Sequence, residues 1–156
     1  MPIPDFVQDL RSKIGHDPLW LPGAAAVVYD DAGRVLLGRR ADTGQWTLIT
    51  GMIDPGEEPA QAIVREVQEE TGVSVEVEHL VSVDVVGPVI FPNSDVCRFL
   101  SLVFRCRYVS GEARVNDDES MDVRWFTLDD LPELNPLHRK HAENARYSTG
   151  VPDFVR

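Results

Sequence analysis

GMIDPGEEPAQAIVREVQEETGV, Gly51 to Val73, is the stretch on which the reading of this chain turns. It opens as a Gly/Pro-rich loop and becomes helical at Pro59. Pro in the first turn and Gly72 just past Thr71 predict a helix over 59–71. Ala60, Ile63, Val64 and Val67 form an apolar side, while Glu66, Glu69 and Glu70 fall within a sector of roughly 100° on another face. An arbitrary Glu-rich helix is a solvated acidic face. Here the carboxylates crowd the last turn, where the helix dipole disfavours negative charge, and a further carboxylate, Glu57, lies in the loop upstream. Several oxygen anions directed at one point suit a hard divalent cation, Mg²⁺ or Mn²⁺.

Outward from this helix, Phe6, Leu10 and Ile14 form one stripe of a short amphipathic helix over 5–14. Gly15, Pro18, Pro22 and Gly23 break the pattern. AAAVVYD (24–30) and RVLLGRR (34–40) read as strands around an Asp30–Gly33 turn. Residues 41–58 read as loop. SVEVEHLVSVDVV (74–86) alternates as a strand, 87–95 reads as a loop, and 96–108 as another strand. After the acidic loop 116–120 come the strand VRWF (123–126) and a helix near 136–146. No linker composition appears, so 1–156 is one domain. Pro4-Asp5-Phe6-Val7 recurs as Pro152-Asp153-Phe154-Val155 without any longer repeat; coincidence is favoured over equivalent docking of the two ends at a dimer interface.

The chain has 156 residues, 15 Lys+Arg against 26 Asp+Glu, a net charge of −11 and pI near 4.7. Such a surface repels phosphate backbones, which disfavours a nucleic-acid polymer as partner. Hydrophobic residues at 43% and charged residues at 26% are ordinary for a globular chain. No apolar run approaches the roughly 18 residues of a membrane span. The N-terminus lacks the pattern of a signal peptide. Cys97 and Cys106 lie in strand-like sequence and read as two buried thiols, so the chain is expected to be cytoplasmic. His16, His79, His138 and His141 have no ligand-like spacing and default to the surface.

Residues 51–73 resemble the signature of the Nudix hydrolases. That signature reads Gly, five residues, Glu, seven residues, Arg-Glu-apolar-any-Glu-Glu-any-Gly-apolar. Gly51, Glu57, Arg65, Glu66, Val67, Glu69, Glu70, Gly72 and Val73 satisfy it without mismatch. The loop is commonly Pro-Gly-Gly in the family and is Thr50-Gly51-Met52 here. Leu36–Arg40, Gly44-Gln45-Trp46 and Arg124-Trp125-Phe126 extend the resemblance more loosely over 23–130. It implies an α/β fold, an α/β/α sandwich around a mixed sheet. It also implies cleavage of the diphosphate in a nucleoside diphosphate linked to another group. Glu66, Glu69, Glu70 and the Gly51 carbonyl would bind Mg²⁺, and Arg65 and Glu57 would brace loop against helix.

For the general base, the resemblance points to the loop before VRWF. Glu119 comes first and Asp118 second, against a merely solvated acidic turn; Glu66 itself is the other candidate. Arg39 and Arg40 are candidates for phosphate, though strand alternation turns at most one inward. Trp46 and Phe91 could stack on a base or simply pack, and Asn93 could read polar substrate groups or form an Asx-turn. Pro88, fifteen residues beyond Val73, resembles the ADP-ribose pyrophosphatase subgroup. A nucleoside triphosphate is the main alternative substrate. A non-hydrolytic nucleotide sensor of the same family is the alternative function, and the intact motif argues against it. Homodimers are frequent in the family, with Phe6, Leu10 and Ile14 as a contact stripe.

Overall fold

In a computed structural model of the chain, residues 3–156 are described. Met1 and Pro2, where the N-terminal reading begins, lie outside them. Among the described residues, three α-helices, α1 (Asp5–Ile14), α2 (Pro59–Thr71) and α3 (Pro136–Arg146), and a 3-10 turn at Leu128–Asp130 accompany eight strands. The strands are β1 (Leu19–Tyr29), β2 (Val35–Arg40), β3 (Trp46–Thr47), β4 (Ile49–Met52), β5 (Ser74–Ile90), β6 (Val96–Ser110), β7 (Ser120–Phe126) and β8 (Asp153–Phe154). They form one mixed sheet in the order β3-β2-β1-β6-β5-β8, with β4 paired to β1 and β7 to β2. β1 runs parallel to β6 and antiparallel to β2 and β4.

The continuous apolar run in β1 follows from burial on both faces. Ala24, Ala26 and Val28 pack with Ile63 and Val67 of α2. The intervening Ala25, Val27 and Tyr29 pack with Ala142 and Ala145 of α3. Val7 of α1 joins Leu19, Leu21 and Cys97 in a third cluster. Alternation places α1 on the α3 side of the sheet. The α/β/α sandwich around a mixed sheet is therefore the architecture. No helix among the described residues is long and apolar enough to cross a membrane.

Several expectations need correction. β1 begins at Leu19 and runs through Pro22 and Gly23. Pro22 falls at the end of the β4 ladder, which starts at Gly23, so its missing N–H is tolerated. Likewise β5 continues through Gly87 and Pro88 to Ile90, because a register shift between Val86 and Val89 absorbs the break. Two short strands, β3 and β4, occupy part of the expected loop 41–58. On α1 the buried residue is Val7; Phe6 packs beside it, while Leu10 and Ile14 are 37% and 38% exposed. The Pro-Asp-Phe-Val repeats diverge, one starting a helix and the other pairing with β5. His141 is buried and hydrogen-bonded to Asp84 at 2.8 Å, not on the surface. His138 faces inward too, its Nδ1 accepting the Leu48 N–H at 3.4 Å. Both thiols are buried and unpaired, as expected.

Candidate active site

α2 positions the acidic motif because its apolar stripe docks it on the sheet, with its second half across β4. That docking forces part of the acidic face inward. Glu66 is 2% and Glu70 7% exposed, an unusual degree of burial for carboxylates. Gly51 of β4 lies directly beneath: a Cβ there would stand 2.2 Å from the Glu66 carboxyl carbon. Only glycine lets the strand approach the carboxylate so closely. Glu66 Oε2 is buried with no hydrogen-bond partner.

Arg65 holds the loop to the helix. Its Nε and Nη2 donate to the two Glu57 carboxylate oxygens, each at 2.9 Å, and Nη2 also reaches the Met52 carbonyl at 3.4 Å. Its Nη1 donates to Glu66 Oε1 at 2.9 Å and to Glu69 Oε2 at 3.2 Å. The forked geometry suits a carboxylate, and Glu57 is held below the usual carboxylate range by the Arg65 hydrogen bonds. Arg65 and Glu57 thus form the loop-to-helix brace.

The electrostatics inside are strained. Burial raises the Glu66 pKa to about 7, against the pull of Arg65. Burial raises Glu70 to about 9, with the Glu119, Glu66 and Asp117 carboxylates adding to it. Half-buried Glu119 is also pushed up, by burial and by Asp117. Arg40, at the end of β2, sets a positive charge against Glu119 and Glu70. The structure therefore brings Glu66, Glu70 and Glu119 into one neighbourhood. Glu69 is 54% exposed at its side chain and turns toward Arg65 instead. Among the described residues, no three His, Cys, Asp or Glu side chains stand at metal-ligand spacing.

The donor set nonetheless fits a hard cation. A buried carboxylate oxygen without a partner and a second buried carboxylate repelled by its neighbours are what such an ion relieves, and carboxylates are the ligands it prefers.

The remaining candidates are engaged in structure. Arg39 Nε donates to the Gly44 carbonyl at 2.8 Å, closing the loop. Arg40 makes a two-pronged contact with Asp42, at 2.8 and 2.7 Å. Trp46 packs edge-on against Phe126, with ring centroids 4.9 Å apart, and carries Arg124 over its ring. Phe91 packs in the α1 cluster. Asn93 and Asp95 form the Asx-turn, Asn93 Oδ1 accepting the Asp95 N–H at 3.1 Å. Sequence reasoning missed Asn116, which donates to the last carbonyls of α2. No motif marks it, because its partners are backbone atoms 47 and 48 residues away.

Residues 19–147 match the sequence model of the NUDIX domain. A MutT-like protein of Streptomyces ambofaciens is 39% identical over 116 residues, covering 74% of this chain and 70% of that protein. The NAD-capped RNA hydrolase NudC of Pseudomonas aeruginosa is 40% identical over 121 residues, 76% of this chain but 40% of the relative's length. Among solved structures, a MutT NUDIX hydrolase from Burkholderia pseudomallei superposes with a TM-score of 0.67 at 31% identity, covering 81% of this chain and 98% of that one. Motif, sandwich and relatives agree: the chain belongs to the Nudix family, as a hydrolase of pyrophosphate bonds.

Proposed function

We propose that this chain is a Mg²⁺-dependent pyrophosphohydrolase, with Mn²⁺ able to substitute. Its substrate is a nucleoside diphosphate linked to another moiety, with ADP-ribose and nucleoside triphosphates first in line. The observation that carries the reading is the burial of both Glu66 and Glu70, with Glu66 lying over Gly51 and its Oε2 unpartnered. Glu66, Glu70 and the Gly51 carbonyl would hold the ion, joined by Glu69 once its carboxylate leaves Arg65. A divalent cation bound there supplies charge neutralisation and Lewis acidity to the diphosphate.

The chain's own residues do the rest. Arg65 and Glu57 keep the β4 loop and α2 in one geometry, so the Gly51 backbone and the Glu66 carboxylate stay in register. Glu119, at the edge of the acidic neighbourhood, takes the proton of the attacking water at its carboxylate. Its raised affinity for protons favours that role at neutral pH. Arg40 gives up part of its Asp42 contact to meet a phosphate, keeping negative charge on the substrate from facing carboxylates alone. Such positioning and neutralisation account for most of the barrier reduction in phosphoryl transfer.

The NudC relative's name adds a nucleotide-capped RNA to the candidate substrates; its diphosphate is chemistry of the same class. The net charge of −11 disfavours polymer binding in general, so a small nucleotide-type substrate is preferred.

The test is turnover of ADP-ribose, NAD⁺, nucleoside triphosphates, dinucleoside polyphosphates and nucleotide sugars with Mg²⁺, wild type against Glu70→Gln. The reading expects Mg²⁺-dependent product release that falls by about 100-fold or more in the variant. Release unchanged in Glu70→Gln refutes the site. Thermal stabilisation by a substrate without any turnover makes the chain a nucleotide sensor instead.

A further inference from the structure

The last turn of an α-helix leaves four carbonyls without intrahelical partners. In α2 the Gln68 carbonyl accepts the Gly72 N–H at 3.0 Å, and another part of the chain satisfies the remaining three, those of Glu69, Glu70 and Thr71. Asn116 Nδ2 donates to the Gln68 and Glu69 carbonyls at 3.3 and 3.0 Å. The Asn116 N–H donates to the Glu70 carbonyl at 3.1 Å, and the Arg114 N–H to the Thr71 carbonyl at 3.0 Å. Arg114 lies over Gly72 and donates to Asn116 Oδ1 at 3.1 Å, which turns the amide so that its NH₂ faces the helix. The segment 114–116 thus supplies N–H groups to the negative end of the helix dipole, the end made more negative by the carboxylates.

Glu119 lies three residues further on. Its N–H donates to Asp117 Oδ1 at 3.0 Å, and its carbonyl accepts the Ala41 N–H at 2.8 Å. The short connection from Asn116 to Glu119 is therefore held at both ends, on α2 at one and beside Arg40 at the other. Asn116 is exposed. Its side chain is spent on two helix carbonyls.

We infer that Asn116 is a positioning residue for the hydrolytic reaction: it fixes the Glu119 loop against the carboxylate-bearing end of α2. This inference rests on the function proposed above. Losing the anchor lets Glu119 and Asp117 drift from Glu66 and Glu70, and displacements of this kind lower turnover more than substrate affinity.

The experiment compares wild type, Asn116→Ala, Asn116→Gln, Glu119→Gln and the Asn116→Ala/Glu119→Gln double variant. Each is assayed for kcat and KM, and its Mn²⁺ affinity is titrated calorimetrically without substrate. Asn116→Ala should lower kcat by about tenfold with KM within about twofold. It should also weaken Mn²⁺ binding several-fold, and Asn116→Gln, which keeps the carboxamide donor, should recover part of both. The double variant should turn over no more slowly than Glu119→Gln alone, because Asn116 acts through that residue. The inference is overturned if Asn116→Ala only lowers Tm and leaves kcat and Mn²⁺ affinity at wild-type values, or if the two losses multiply. A wild type inactive on every substrate defeats the proposed function instead. The Mn²⁺ titrations of wild type and Asn116→Ala then still decide whether the anchor shapes the site.

Discussion

Replacing Gly51 with alanine strikes the closest approach in the site. The added methyl would stand 2.2 Å from the Glu66 carboxyl carbon, 2.3 Å from Cγ and 2.4 Å from Oε1, whereas ordinary contact begins at 3.4 Å. The shortfall is about 1.2 Å. β4 is laddered to β1 from Gly23 to Ala26, so the strand resists moving and the carboxylate must yield. Glu66 is itself boxed in by Arg65 and buried at 2% exposure. A displacement near 1 Å at a catalytic group costs on the order of 100-fold in turnover. Gly51→Ala should thus lower kcat/KM by about 100-fold, weaken Mn²⁺ binding, and leave the fold intact by circular dichroism. Steady-state kinetics and calorimetric Mn²⁺ titration measure both. Activity within about threefold of wild type, with Mn²⁺ affinity unchanged, would show that Glu66 does not need the position seen here and refute the reasoning.

Three further outcomes follow from the same geometry. Mg²⁺ should raise Tm, since a ligand at 100 times its Kd adds about 2.7 kcal/mol of stability; EDTA should reverse the shift, and an equal shift in Glu70→Gln would place the ion elsewhere. Glu57→Gln removes a two-pronged partner of Arg65 that is only partly exposed, so it should cost about 1 kcal/mol in urea unfolding together with part of the activity; an unchanged midpoint would mean the brace is idle. His138 is held neutral by burial, its pKa lowered to about 4, while the unfolded chain protonates near 6.5. The unfolded state binds the extra proton between these values. The contribution of His138 is therefore complete above about pH 6.5 and is lost as pH falls toward 4, by up to about 3 kcal/mol. His141 sits one turn along α3 beside it. Urea midpoints at pH 7 and pH 5 should converge in His138→Asn; an unaltered pH dependence would assign the acid sensitivity to another group.

The amino-acid sequence by itself determined a great deal. Three helices were legible almost to the residue, because Pro4, Pro59 and Pro136 precede or open them and Gly15 and Gly72 end two of them. The Asp30–Gly33 hairpin and the burial of both thiols were legible too. Spacing along one helix, a local quantity, grouped the three carboxylates of α2, whereas the Arg65–Glu57 brace was legible only through the family resemblance. Strand ends were less legible: Pro22 and the Gly87–Pro88 pair read as breaks, yet neighbouring ladders carry the strands across them.

What the tertiary structure decided was which acids are buried, which are paired, and how the distant loop meets the helix. Glu66, Glu69 and Glu70 look equivalent on a helical wheel. Docking of α2 on the sheet buries two of them, Glu66 against Gly51, and leaves the third on Arg65. Arg40 and Glu119 enter the same neighbourhood only because β2 and β7 pair, with Arg40 opposite Ser120. Asn116 finds its partners nearly fifty residues upstream and carries no spacing signal at all. Helical phase is written in neighbouring residues, but desolvation and carboxylate repulsion depend on what the folded chain sets against each group, and that is a property of the packed sheet.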